Sequence, residues 1–139
     1  MTFRTLIDAD YLDYLELINE FRSTTFTESQ FVETLANIQK NGNIWIYEEE
    51  GKLLATGTII YEYKFIFNIC VYGHIEDICV RSSHRRKGLG LKLLKHLINQ
   101  SRHCYKLTLD CADSNITFYE ACGFEKRGNQ MCQLLQNLK

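Results

Sequence analysis

Two adjacent carboxylates, Glu76 and Asp77, stand shortly before three cations and two spaced glycines, Arg85-Arg86-Lys87-Gly88-Leu89-Gly90. The second group supplies what a pyrophosphate needs. Glycines let backbone N–H groups come close, a helix opening there aims its unsatisfied donors and positive dipole end at the anion, and the cations screen its charge. The carboxylates supply acid–base chemistry. A phosphate-bearing cofactor and an acid–base pair can therefore meet where a strand runs into a helix, which is an enzyme-like arrangement. The plainer alternatives are a solvated basic loop and, for one of the two carboxylates, a simple ion pair.

The elements that must position these groups follow from periodicity. Phe3 to Ile7 reads as a short strand. Asp10 is placed to cap a helix with Tyr11, Tyr14, Leu15, Ile18 and Phe21 on one face. Thr27-Glu28-Ser29-Gln30 has the form of a capping box for a second helix, with Phe31, Leu35 and Ile38 inward and Asn41-Gly42 as its stop. Ile44 to Glu48, a turn at Glu50-Gly51, and Leu53 to Tyr63 read as a hairpin, in which Gly57 marks a close approach or a bulge. In the strand at 74–81, Ile75 is apolar on one parity while Ile78 and Val80 are apolar on the other. A one-residue slip between Glu76 and Ile78 reconciles them and predicts a β-bulge.

After Gly88 a helix carries Leu89, Leu93, Leu94, Leu97 and Ile98 on one face. Lys106 to Cys111 alternates as a strand. Asp113 or Ser114 is placed to cap a short helix closed by Gly123, and residues 124–138 are expected to give one or two final strands. The order β-α-α-β-β-β-α-β-α-β describes an α/β (α+β) fold in one domain over residues 1–139.

Bulk properties narrow the classes. The chain has 139 residues, 45% hydrophobic and 24% charged, with a net charge of −1. That balance argues against a general nucleic-acid binder, and the basic residues cluster locally between Arg81 and Lys92. No apolar run reaches a membrane span, and Met1-Thr2-Phe3-Arg4 shows no secretory signal. The six cysteines, at 70, 79, 104, 111, 122 and 132, form no CxxC or HxxxH pairing that supports a metal. They are expected as reduced, mostly buried thiols in a cytoplasmic protein. His74, His84, His96 and His103 fall on polar or surface positions. Proline is absent, and nothing in the sequence explains it.

With Arg85, Gly88 and Gly90 followed by Asn115-Ile116-Thr117-Phe118-Tyr119-Glu120-Ala121-Cys122-Gly123-Phe124, the chain resembles the GCN5-related N-acetyltransferases (GNAT). The six-residue Arg/Gln-x-x-Gly-x-Gly/Ala signature is weak alone and specific in company with the second motif. The resemblance narrows to the glucosamine-6-phosphate N-acetyltransferase branch through FRTL at Phe3, TESQF at Thr27, ATGT at Ala55, YKFI at Tyr63, GHIEDI at Gly73, CYKLTLDC at Cys104 and FYEACGF at Phe118.

That resemblance implies a mixed, mostly antiparallel sheet with a bulge in the fourth strand, flanked by helices. It implies a homodimer with exchanged C-terminal strands, acetyl-CoA as co-substrate without a metal, and glucosamine 6-phosphate as acceptor. Another small amine or a protein N-terminus stays open as acceptor, as does a non-catalytic acyl-CoA-binding module. By position, the backbone of Ile78, Cys79 and Val80 and the loop Arg85, Arg86, Lys87, Gly88, Leu89 and Gly90 would hold the cofactor, with Asn115 and Tyr119 beside it. Tyr119 would protonate the departing thiolate, against a core aromatic as the alternative. Asp110 or Glu76 would act on the amine, against a helix-capping Asp110. Glu76, Asp77, Asp110, Lys64 and Thr24 would line the sugar site. Two positions depart from the family: Phe67 replaces a histidine, and Leu134 replaces an arginine that helps bind the sugar phosphate across the dimer. Lys64, Lys126 or Arg127 is then left for the phosphate, or the acceptor differs.

Overall fold

The computed structural model describes residues 2–137. They fall into two compact units, one ending at Leu109 and the other beginning at Asp110. The first holds β1 (Thr2–Thr5), α1 (Tyr11–Asn19), α2 (Glu28–Gln39), β2 (Gly42–Glu49), β3 (Lys52–Lys64), β4 (Cys70–Val80), α3 (Leu89–Gln100) and β5 (Lys106–Leu109). The strands form one sheet in the order β1-β2-β3-β4-β5, antiparallel except for the parallel pair β4–β5. The second unit holds a 3-10 turn at Asp113–Asn115 and the short α4 (Ile116–Glu120). No helix among the described residues is long and apolar enough to cross a membrane.

Local signals explain most boundaries. The Thr27 hydroxyl accepts from the Gln30 N–H at 3.1 Å while the Gln30 side chain accepts from the Thr27 N–H at 2.9 Å, a complete capping box. Glu50 and Gly51 both take left-handed φ values, 52° and 75°, and close the β2–β3 hairpin. The Asp10 carboxylate precedes α1 but makes no capping bond to that helix. It accepts instead from both Arg4 NH groups, at 2.8 and 2.9 Å, and from the Ile7 N–H at 2.9 Å, because the guanidinium offers the stronger, charge-assisted partner.

The sheet buries both faces. Leu6, Tyr14, Leu17, Phe31, Leu35, Ile44, Ile46, Leu53 and Cys79 form the core beneath α1 and α2. On the other face Leu93 and Leu97 of α3 come down on Gly57 together with Ile78. The β3–β4 register runs Thr56↔Cys79 and then Thr58↔Glu76, so Asp77 and Ile78 together oppose Gly57. Asp77 takes φ 52°. This is the bulge that the parity break predicts. It lets Ile75 and Ile78 serve the α3 face while Cys79 serves the other. Arg81, 4% exposed, ties the end of β4 to α1. Its guanidinium donates to the Leu53 carbonyl at 2.9 Å, to Glu16 at 2.6 Å and to Asp13 at 2.9 Å, and Glu20 stands at 3.5 Å. Arg81 therefore leaves the basic cluster to which its sequence position assigns it.

Several expectations need correction. No strand forms in residues 124–137, and Leu138 lies outside the described residues; a strand needs a hydrogen-bonding edge, and the tail pairs with none here. The fifth strand stops at Leu109 rather than Cys111. Neither Asp113 nor Ser114 caps α4: Asn115 occupies the N-cap position without a side-chain hydrogen bond. Of the six free thiols Cys79 alone is buried, while Cys132 is exposed and the other four are half-buried. His96 is not a surface residue. Its ring stacks on Phe3 with centroids 4.4 Å apart and meets Trp45 edge-on at 4.5 Å.

Two stability predictions follow from this packing. A Cβ on Gly57 would stand 3.0 Å from Leu97, 3.1 Å from Ile78 and 3.3 Å from Leu93. Gly57→Val should therefore destabilise the fold by about 1–3 kcal/mol in urea unfolding, and an unchanged midpoint would refute the close packing. The His96 Nε2 is buried with no partner, and burial lowers its pKa from the ordinary 6.5. Because the folded ring resists protonation and the unfolded one does not, stability is lost as pH falls below 6.5. His96→Phe should gain about 1 kcal/mol and flatten that acid-side decline. Parallel pH–melting curves for the two proteins would contradict this.

Candidate active site

The site begins at the bulge. The β4–β5 register ends at Ile75↔Leu109, so residues 77–80 of β4 run on beyond the last pair with β5. On the β3 side the ladder is interrupted opposite Gly57. The result is a stretch of extended backbone carrying Ile78, Cys79 and Val80, available along one edge to another extended molecule with amide groups. Cys79 turns its thiol inward to the Leu17 carbonyl at 3.6 Å, and burial raises its pKa. A protonated, buried thiol is no nucleophile.

The loop after β4 combines a braced backbone with exposed cations. The Ser82 N–H donates to Glu20 at 2.6 Å; the Ser82 side chain first, then this backbone bond, with Arg81 and Arg85 nearby, hold the Glu20 carboxyl below its usual range. Arg85 Nε donates to the Val80 carbonyl at 3.1 Å, so this guanidinium braces the end of the strand. Arg86 and Gly88 take left-handed φ values of 63° and 79°. Gly88 is the N-cap of α3, makes no side-chain cap, and has nothing within 4 Å of where a Cβ would stand. The first N–H groups of α3, from Leu89 and Gly90 onward, thus open at a glycine with clear space around it, flanked by exposed Arg86 and Lys87. These residues fit a pyrophosphate-bearing co-substrate.

The two carboxylates separate. Glu76 and Asp77 are both exposed. Glu76 keeps the strand alternation opposite Thr58, whereas Asp77 sits at the bulge with left-handed backbone. Tyr14 on α1 feels it: its hydroxyl is pushed up to about 12 by burial first, then by the Asp77 charge and the Cys79 thiol.

Cross-strand register assembles a polar patch that the sequence did not reveal. Glu62, Tyr72 and Lys106 stand side by side on β3, β4 and β5, as do Ile60, His74 and Thr108. The ammonium groups of Lys64 and Lys106 lie over the Tyr72 ring, 5.1 and 4.6 Å from its centroid. His74 bridges Thr108 and Glu62 through its two ring nitrogens, and that contact, with Lys64 next, lowers the Glu62 pKa. Lys64 therefore has a companion cation in Lys106. The signal available was the position of Lys106 on the polar parity of its strand; its neighbour across the sheet was not readable. Among the other cations considered, Arg127 pairs with Glu125 beside it and Lys126 is exposed. Phe67, left-handed at φ 52°, stacks on Tyr105 at 4.9 Å. Thr24 is exposed in the α1–α2 loop, where its N–H donates to Asn19 at 3.0 Å.

In the second unit Tyr119 is half-buried on α4, edge-on to Phe118 at 5.0 Å and to Phe124 at 6.1 Å. Burial, then the Cys111 and Cys122 thiols, raises its pKa, so the phenol keeps its proton at neutral pH. Gly123, at φ 93°, lets the chain reverse after α4 and the Phe124 N–H return to the Tyr119 carbonyl at 3.1 Å. Asn115 is exposed at the N-cap. Asp110 is exposed and is held by Gln130, a partner that the sequence gave no reason to single out.

Comparison with known proteins gives a consistent result. Residues 11–124 match the model of the Acetyltransferase (GNAT) family. Glucosamine 6-phosphate N-acetyltransferase 1 of Dictyostelium discoideum is 38% identical over 94% of this chain and 88% of its own length. The Candida albicans glucosamine 6-phosphate N-acetyltransferase is 35% identical over 94% and 93%. The crystal structure of the Arabidopsis thaliana glucosamine-6-phosphate N-acetyltransferase superposes with a TM-score of 0.89 at 35% identity, covering 97% of this chain and 98% of that one. The family-model match and these relatives together show that the chain belongs to the GNAT acetyltransferase family.

Proposed function

We propose that this chain transfers an acetyl group from acetyl-CoA to the 2-amino group of D-glucosamine 6-phosphate. The product is N-acetyl-D-glucosamine 6-phosphate, a step toward UDP-N-acetylglucosamine, and no acyl-enzyme forms. The observation that carries this reading is the edge of β4 beyond the bulge, leading into the open N-terminus of α3. The names of the relatives supply the acceptor.

Acetyl-CoA supplies an activated thioester and a long arm with two amide groups. Ile78 and Val80, two residues apart on one edge, are spaced to pair with such amides as a strand would. Arg86, Lys87 and the N–H groups after Gly88 take the pyrophosphate, with Asn115 alongside in this reading. A backbone N–H of Ile78 or Cys79 faces the carbonyl oxygen as it gains charge, a donor that typically contributes about 2.7–4 kcal/mol. Asp110 orients the amine and accepts its proton directly, or Glu76 does so through water. The Tyr119 phenol gives its proton to sulfur as the C–S bond breaks. Lys64 and Lys106, paired over Tyr72, bind the sugar phosphate in place of the arginine that Leu134 replaces. Asp77 and Thr24 complete the sugar site.

A homodimer with exchanged C-terminal strands belongs to the same reading. Residues 124–137 make no strand within their own chain, and Met131, Leu134 and Leu135 stand 84–90% exposed, which is apolar surface awaiting a partner. The six free thiols accord with a cytoplasmic protein. Leu134 favours one second reading, acetylation of a different small amine.

Two experiments test this. Mass spectrometry of product from acetyl-CoA should show strong preference for glucosamine 6-phosphate over glucosamine. Equal or absent activity on both would overturn the acceptor and leave the acetyltransferase. Tyr119→Phe should lower kcat about 10²-fold with acetyl-CoA affinity within about twofold, whereas Gly88→Trp should abolish acetyl-CoA binding. Melting curves run alongside separate lost binding from backbone strain at φ 79°. Equal loss of binding in both folded variants would contradict the assigned roles.

A further inference from the structure

We infer that Gln130, in the C-terminal tail, is the positioning residue for the Asp110 carboxylate. The inference rests on Asp110 acting on the acceptor amine. With the amide oriented to satisfy its surroundings, the Gln130 nitrogen donates to Asp110 Oδ2 at 2.7 Å and to Oδ1 at 3.1 Å. One nitrogen thus grips both carboxylate oxygens. Among the described residues no other donor reaches them.

The choice of donor matters. Asp110 is exposed, so without a partner its carboxylate would rotate freely and meet the amine in many orientations. A cation at this point would fix it, but would also cancel the charge that must hold an ammonium or accept a proton. The Arg4–Asp10 pair shows that alternative, with the carboxyl pulled below its ordinary range by the guanidinium bonds that oppose its burial. A neutral amide fixes direction and leaves the negative charge in place. It also leaves lone pairs on each oxygen for the acceptor.

The grip arises from the tail. Gly128, at φ 65°, turns the chain two residues earlier, and the exposed Met131 follows immediately. Gln130 therefore stands between a fixed turn and the segment that the dimer reading exchanges. Ordering of that segment would steady Gln130 and, through it, Asp110.

The test is a double-mutant cycle of Gln130→Met, which keeps length but removes the donor, against Asp110→Asn. It is read as kcat and both KM values with an acceptor that the wild type acetylates. Gln130→Met alone should lower kcat with the acceptor about 10-fold or more, since misplacement of a reacting group by ~1 Å costs up to 10²-fold. The KM for acetyl-CoA and the melting temperature should stay unchanged. In the Asp110→Asn background the same substitution should add nothing. Full, additive losses, or an unchanged kcat in Gln130→Met while Asp110→Asn is impaired, would overturn the inference. An Asp110→Asn enzyme as active as wild type would instead remove the catalytic reading on which it rests.

Discussion

Gly57 and the two residues that share the space opposite it set the geometry of the first unit. A regular ladder would alternate without interruption, so Ile75 and Ile78, three apart, could not both face α3. One would project among the helices on the opposite side, and Cys79 would leave the core beneath α1. The bulge absorbs the parity conflict, and it is possible because Gly57 has no side chain where Ile78, Leu93 and Leu97 converge. Its by-product is a strand whose regular pairing with β3 is broken just beyond the last residue that β5 pairs.

A second constraint fixes where that strand leads. Arg81 is buried with carboxylates that are themselves partly exposed, at 30%, 61% and 25% for Asp13, Glu16 and Glu20. Burying a guanidinium is costly, and the neighbours repay it because the carboxylates keep much of their hydration while the Leu53 carbonyl takes the innermost donor. The interaction does more for position than for stability. It clamps α1 to the end of β4, and with Glu20 on Ser82 and Arg85 on Val80 it delivers the left-handed Arg86 and Gly88 to a fixed place before α3. A pyrophosphate bound there, as proposed, would meet preorganised backbone as well as the exposed cations.

Protonation states divide the proposed chemistry. Burial keeps Cys79 as a thiol and Tyr119 as a phenol. In the proposed mechanism the Tyr119 phenol, still protonated at neutral pH, holds the proton that the departing thiolate takes, and the Asp110 carboxylate is the group that meets the amine. Direct transfer needs just such a pair. The neutral grip of Gln130 keeps that distinction intact.

The sequence by itself determined whatever depends on neighbours a few residues apart. The Thr27–Gln30 box, the Glu50-Gly51 turn, the apolar face of α3, the glycine at its cap and the parity break at Glu76–Ile78 are local patterns, and each appears as read. Only the tertiary structure decided what depends on segments meeting from afar. Arg81 looked like one more cation of a basic run until α1 surrounded it with carboxylates. His96 looked solvated until β1 and β2 brought Phe3 and Trp45 to its ring. Lys106 became a companion of Lys64 through the parallel register of β4 and β5, which no short-range period encodes. Residues 124–137, expected to form a strand, stayed unpaired because a strand is completed by an edge outside itself. Short-range periodicity fixes which residues share a face; long-range packing and register fix what that face meets.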